Sequence, residues 1–268
     1  RERLMKEAAG NVSIIVKETE TKDSFEVSGR GELQLGILIE NMRREGFELS
    51  VSRPRVLLHQ NANTNETLEP IEEVIVDVDE EFSGVVIEKI SLRKGELRDV
   101  YNTGQGKTRL NFLAPSRGLI GYHGEFLPDT RGTGVMNKIF HKYDVYKGPI
   151  AGRFNGVLIS NDSGAAVAYA LWKLEERGKL FINPGDKLYQ GMIIGEHSKD
   201  NDLDVNPVRE KQLTNFRTTS KDEAIRLTPP VNITLERAFS YIDDAELVEV
   251  TPHSIRLRKA ILDPSQRK

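Results

Sequence analysis

The 268-residue sequence contains no cysteine, so disulfides, cysteine-based zinc sites and cysteine nucleophiles are excluded. It also has no apolar run of 18 residues and no signal-peptide pattern, and the expectation is a soluble, cytoplasmic protein with no membrane partner. Net charge is nearly lacking: 38 Lys and Arg against 41 Asp and Glu give −3, so the chain as a whole is not an electrostatic nucleic-acid binder. The short catalytic signatures are missing too. Gly106-Lys107-Thr108 ends like a phosphate-binding loop, but Tyr101 stands where such a loop needs its first Gly, and the segment reads as a join between two strands. Asn137-Lys138-Ile139-Phe140 lacks the Asp of a guanine-reading motif. Asp200, Asp202 and Asp204 have the opening spacing of a calcium loop, yet Val205 replaces the required Gly and Lys211 stands where the bidentate Glu belongs. No Ser lies in a G-x-S-x-G elbow, and the five His are scattered. The sequence therefore offers no catalytic residue, no metal site and no cofactor of its own.

What is present is organised by charge and periodicity. Eight acidic residues and no basic ones lie between Glu66 and Glu81, whereas Phe82 to Arg153 holds twelve Lys and Arg against six acids. After Ile255 the tail carries Arg256, Arg258, Lys259, Arg267 and Lys268 against Asp263 alone. Such runs are read equally as solvated faces or as RNA contacts. The length suffices for two or three domains. The chain opens on Arg1 rather than Met, in a helix running to Ala9 that Gly10-Asn11 stops, followed by a strand over Val12 to Val16 and a polar turn. Phe25 and Val27 then alternate with polar neighbours as a half-buried strand, and Leu33, Ile37 and Met42, with Leu38 beside them, follow a helical period. Gly29 and Gly31 permit the turn between the two. Helix, strand, strand, helix, strand is a ferredoxin-like split unit without its first strand.

A polar linker, His59 to Thr67, leads to a second such unit. Leu68 to Val78 reads as a strand, and Phe82, Val86 and Ile90 line a helix that Gly95 ends. A hairpin follows around Asn102-Thr103-Gly104-Gln105-Gly106, then a Gly-punctuated helix over Ser116 to Leu127 and a closing strand, Val135 to Tyr143. Gly118, Gly121 and Gly124 recur every three residues, at about 1 kcal/mol each against Ala in a helix interior. Either close packing within the protein or close approach of an RNA backbone, with Arg117 and Arg131 contacting phosphates, offsets that. From Asp144 onward short strands and turns dominate: Asn183-Pro184-Gly185-Asp186 fits a type II turn in a hairpin, Ser163 to Glu176 reads as a helix, and a shorter helix around Leu235 to Ser240 precedes a strand. The polar stretch Asn201 to Thr228 carries Arg209, Lys211, Arg217, Lys221 and Arg226. Phe216 sits there between Asn215 and Arg217, where it would stack a base while its neighbours hold phosphates, or the stretch is a solvated loop.

Two segments carry a resemblance. Ser28-Gly29-Arg30-Gly31-Glu32-Leu33 with Met42-Arg43-Arg44-Glu45-Gly46 resembles the third domain of translational GTPases related to elongation factor G, and Ser116 to Asn137 with the last 120 residues narrows the likeness to the BipA/TypA branch. The fold class implied is α+β: residues 1–58 like the third domain of elongation factor G, 59–67 a linker, 68–143 like its fifth domain, and 144–268 a mainly β C-terminal domain with inserted helices. The nine-residue linker leaves no room for that factor's tRNA-mimicking fourth domain. The resemblance further implies a piece of a longer GTPase, with GTP and Mg held in a G domain outside this chain. It implies large-subunit rRNA near the factor-binding centre and A-site tRNA as partners, and a role in large-subunit assembly in the cold or under stress. The RNA-binding residues expected are Arg117, Arg131, Arg209, Lys211, Asn215, Phe216, Arg217 and Lys221. The alternatives are a LepA-like factor and an autonomous nucleotide-binding enzyme built on Gly104-Gln105-Gly106-Lys107-Thr108.

Overall fold

The computed structural model describes residues 1–20, 23–61, 64–104, 106–150, 152–210 and 226–267. They fall into two compact units, Arg1–Leu49 with Val250–Ser254, and Ser50–Glu249 with Ile255–Lys268. Helices and several antiparallel sheets make the class α+β. No helix among the described residues is long and apolar enough to cross a membrane.

In the smaller unit α1 (Glu2–Gly10) leads to β1 (Ile15–Glu18) and β2 (Phe25–Ser28), which pair antiparallel with Ile15 opposite Ser28, and then to α2 (Glu32–Arg44). Its core is Ile14, Leu38 and Met42, against which Leu4, Val16, Val27 and Leu49 pack. The predicted apolar stripe of α2 is thus corrected. Leu38 and Met42, one turn apart, face inward, whereas Leu33 is 74% exposed and Ile37 is exposed as well. In the turn into α2 a Cβ at Gly29 would lie 2.9 Å from Oε1 at the end of the flexible Gln34 side chain, and at Gly31 a Cβ would meet open space.

β3 (Leu49–Ser52), of which residues 50–52 belong to the larger unit, follows, and then β4 (His59–Gln60), inside the segment expected to be a linker. The larger unit continues through β5 (Thr67–Asp79), α3 (Glu80–Leu92), β6 (Glu96–Gly104), β7 (Lys107–Pro115), α4 (Ser116–Leu119), α5 (Tyr122–Asp129) and β8 (Val135–Val145). The strands form an antiparallel sheet in the order β8-β5-β7-β6, the ferredoxin-like arrangement, with β4 added at the start of β5. Alternation in β5 turns Val74, Val76 and Val78 toward the helices, where Phe82, Val86 and Ile90 of α3 meet Leu119, Tyr122 and Phe126 in one core. The single helix expected over Ser116 to Leu127 is two. Gly121 adopts φ +73, the left-handed conformation that ends one helix and starts the next at an angle.

The remaining elements are β9 (Val157–Ser160), β10 (Gly164–Ala165), α6 (Ala168–Glu175), β11 (Gly178–Leu180), β12 (Lys187–Leu188), β13 (Met192–His197), β14 (Leu203–Val205), α7 (Leu235–Tyr241), β15 (Glu246–Val250) and β16 (Ile255–Lys259). A sheet in the order β14-β9-β13-β16-β15-β3, with β11 also on β13, organises them. Here β3 is an edge strand beside β15. Three expectations change. The helix starts at Ala168 rather than Ser163, because Gly164 and Ala165 pair with β12 and Val167 is extended. The turn at Asn183-Pro184-Gly185-Asp186 is present, with Gly185 at φ +88 and the Asp186 N–H donating to the Asn183 carbonyl. Its two flanks do not pair with each other, since β11 pairs with β13 and β12 with β10. Finally, β14 occupies part of the stretch read as a loop over Asn201 to Thr228, running parallel to β9.

Candidate RNA-binding surfaces

The Gly-punctuated segment answers the question its composition raised. A Cβ at Gly118 would lie 2.6 Å from the Arg93 carbonyl oxygen, and one at Gly121 would lie 2.0 Å from Ser240 Cβ on α7. Both glycines are therefore required by contact within the protein. Gly124 is exposed, and a Cβ there would meet open space.

Arg117 and Arg131, expected together as phosphate contacts, have different fates. Arg117 turns inward. Its guanidinium donates to the Glu69 carboxylate and to the Gly148 carbonyl, and it lies over the Tyr146 ring at 4.3 Å. Glu69 is fully buried on β5 and also accepts the Lys147 N–H at 2.7 Å. This arrangement staples α4 to β5 and to the segment after β8, and an outward phosphate contact would leave a buried carboxylate without its cation. Arg117 is thus engaged by partners within the protein. Arg131 points outward instead, at φ +49 just after α5, with its side chain 75% exposed. Its partners are the ring of the buried Phe82 at 5.4 Å and a loose 3.9 Å contact to the exposed Glu81.

Among the other expected residues, Arg209 is exposed directly after Val208, whose side chain packs on the core under α6. Lys211, Asn215, Phe216, Arg217 and Lys221 lie outside the described residues. Gly106-Lys107-Thr108 sits at the tip of the β6–β7 hairpin, with Thr108 buried and paired to Val78, and a strand rather than a helix follows it. That geometry removes the motif on which an autonomous nucleotide-binding reading rested. Among the described residues no group of His, Asp or Glu is placed to hold a metal ion.

A buried ionic cluster went unread in the sequence. Glu246 at the start of β15 has no exposed surface and receives both terminal nitrogens of Arg153 at 3.0 Å, the Lys259 ammonium at 2.7 Å and the Asp243 N–H at 2.9 Å. Lys259 also reaches Asp202 at 2.6 Å. Burial alone pushes the Glu246 carboxyl up, but the hydrogen bonds and charges of Arg153 and Lys259 outweigh it and hold the carboxyl below its ordinary range. Arg153 lies where the ferredoxin-like segment passes into β9, so the cluster fixes that passage to α7 and β15. Nothing periodic marks it, since Arg153 and Glu246 are far apart in sequence.

Comparison with known proteins places these segments. Residues 66–154 match the family described as elongation factor G C-terminus, and residues 155–264 match the TypA/BipA C-terminal domain. The whole chain aligns with proteins named large ribosomal subunit assembly factor BipA: 53% identical in Haemophilus influenzae, 51% in Escherichia coli strain K12 and 50% in Buchnera aphidicola, each over 268 residues. All of this chain is covered, but only 43%, 44% and 44% of those relatives, so it spans less than half their length. The alternative of a LepA-like factor gives way to the match over residues 155–264. By that match, and by an alignment that covers all 268 residues, the chain belongs to the TypA/BipA family and carries its C-terminal domain.

Proposed function

We propose that this chain is the ribosome-binding C-terminal region of a translational GTPase that assists assembly of the large ribosomal subunit. The observation that carries the reading is 53% identity over all 268 residues to a protein bearing that name. GTP and Mg belong to a G domain outside this chain, and the region described here docks that domain on rRNA near the factor-binding centre, in reach of A-site tRNA. The parent works in the cytoplasm, on ribosomes, under cold or stress. The domains are residues 1–58, ferredoxin-like without an opening strand, the linker 59–67, a second ferredoxin-like domain 68–143, and a mainly β domain 144–268. The β8-β5-β7-β6 order supports the second of these.

RNA is held through Arg131 and Arg209, whose exposure supports the role, and through Lys211, Asn215, Phe216, Arg217 and Lys221. Arg117 positions α4 and takes no part in binding.

Cosedimentation of the full-length parent with large subunits across 50 to 200 mM salt tests the reading. Affinity should fall with a log–log slope of about −0.7 to −0.9 per phosphate contact. Lys211→Ala with Arg217→Ala should weaken association while leaving GTP turnover unchanged. A flat salt response together with full complementation by the double variant would overturn it.

A further inference from the structure

The one tryptophan of the chain is Trp172, and it is 48% exposed on α6. Helical spacing puts it on the outward face with Tyr169 and Lys173, opposite the buried Ala170, Leu171 and Leu174. The Tyr169 and Trp172 rings lie 6.3 Å apart at 37°, and the Lys173 ammonium sits 4.6 Å from the Tyr169 ring. A half-exposed indole beside a second ring and a cation is unusual on a helix whose other face already fills a core. Arg177, one turn beyond Lys173, is exposed, and among the described residues neither cation is ion-paired to a carboxylate.

Charge gathers at both ends of the same helix. The Val167 N–H, at its start, donates to the Pro207 carbonyl at 3.0 Å, and Glu175, at its end, accepts the Thr228 N–H. Val208 and Leu227 pack on the core that holds Leu171 and Leu174, so the exposed Arg209 and Arg226 emerge next to these two anchors. Aromatic faces flanked by cations with no acidic partner are what unstacked bases and their phosphates require. The exposed carboxylates nearby are Glu176, four residues after Trp172, and Glu210 beside Arg209, against Lys173, Arg177, Arg209 and Arg226, and a protein partner would have to bring carboxylates of its own to meet those four cations.

We propose that the outward face of α6 is a stacking platform for single-stranded RNA. A base lies on Trp172 with Tyr169 beside it, and Lys173, Arg177, Arg209 and Arg226 contact the flanking phosphates. This rests on the ribosome-binding reading above and deepens it by naming the nucleic-acid form and the surface.

Because Trp172 is unique, its fluorescence reports the site directly. The whole chain is titrated with a 12-nucleotide oligoadenylate at low salt, following Trp172 emission and, separately, the anisotropy of fluorescein-labelled RNA. The expected result is saturable quenching, about a tenfold loss of affinity in Trp172→Ala, and recovery of most of it in Trp172→Phe. Lys173→Glu with Arg177→Glu should lower the salt dependence of binding. A surface substitution leaves the melting temperature nearly unchanged, and that is measured on each variant. RNA binding without quenching, or equal affinity of Trp172→Ala and the parent sequence, would overturn the platform. So would a blue shift of Trp172 on adding ribosomal proteins but not RNA, which would assign the face to a protein. If large-subunit cosedimentation persists while quenching is absent, this inference fails alone; if cosedimentation is lost as well, the functional reading fails with it.

Discussion

Replacing Glu246 by Ala tests the buried cluster most directly. The substitution removes the only carboxylate among the described residues that Arg153 reaches, while Lys259 keeps Asp202 at 2.6 Å. Arg153, with 13% of its side chain exposed, is then left with the carbonyls of Asn155 at 2.6 Å and Tyr241 at 3.2 Å. Breaking a buried pair by removing one partner costs roughly 3 to 5 kcal/mol. The surviving carbonyl contacts and the intact Lys259–Asp202 pair argue for the lower end, about 3 kcal/mol. In a domain of this size that corresponds to a fall in melting temperature on the order of 6 to 12 °C. Urea unfolding followed by circular dichroism should show a lower midpoint at unchanged slope. A triple variant, Glu246→Leu with Arg153→Met and Lys259→Met, should regain most of the loss, because an apolar replacement removes the desolvation penalty along with the attraction. The folded Glu246 carboxyl titrates below its unfolded value, so its contribution is fully present above the unfolded pKa, near 4.3, and is lost as pH falls through the folded one. The stability of Glu246→Ala should therefore fall less steeply below pH 4.3 than that of the unsubstituted chain. A loss under 1 kcal/mol, or identical acid limbs for the two proteins, would refute the reasoning.

The two arginines of the Gly-rich segment should separate cleanly: Arg117→Ala strips the fully buried Glu69 of its cation and should cost roughly 3 kcal/mol in urea unfolding. Arg131→Ala should change stability by no more than about 0.5 kcal/mol and register only in ribosome affinity. The glycines should separate too. Gly121→Ala combines φ +73 with a Cβ that would lie 2.0 Å from Ser240 Cβ and should lower the melting temperature markedly, whereas Gly124→Ala, in open space within α5, should raise stability by up to about 1 kcal/mol. Tyr122 carries a fully buried hydroxyl with no hydrogen-bond partner among the described residues, and burial pushes its pKa up. Tyr122→Phe should accordingly be neutral or stabilising by about 1 kcal/mol, with a melting curve as the check.

Most elements were legible because their signals are local. Phe82, Val86 and Ile90 repeat at one helical turn and are all buried, and Pro184-Gly185 forms the turn its residues demand. Interactions between distant segments left weaker marks. On α2 two apolar pairs at the same spacing, Leu33 with Ile37 and Leu38 with Met42, compete for the core, and sequence alone does not say which one the β1–β2 pair will cover. The break at Gly121 was hidden because a glycine that is merely tolerated in a helix, such as Gly124, has the same identity as one that ends it.

Glu69 exposes the limit best. It belongs to an acidic run that reads as a solvated face, and only the segments that cover its end of β5 contradict that. Along the strand Glu69 and Ile71 are buried in one phase and Val74, Val76 and Val78 in the other; since the ladder with β7 runs unshifted from Ile71 to Asp79, the two sets lie on opposite faces, each covered over a different stretch of β5. Glu69 shares its face with Glu73 and differs from it in being covered by Arg117 and by the segment after β8, whose Lys147 N–H it accepts. That cover holds one of the two nearby arginines inside the protein, while the other is offered outward. The outward one, Arg131, keeps its charge on the surface, and that exposure is what supports the role proposed for it.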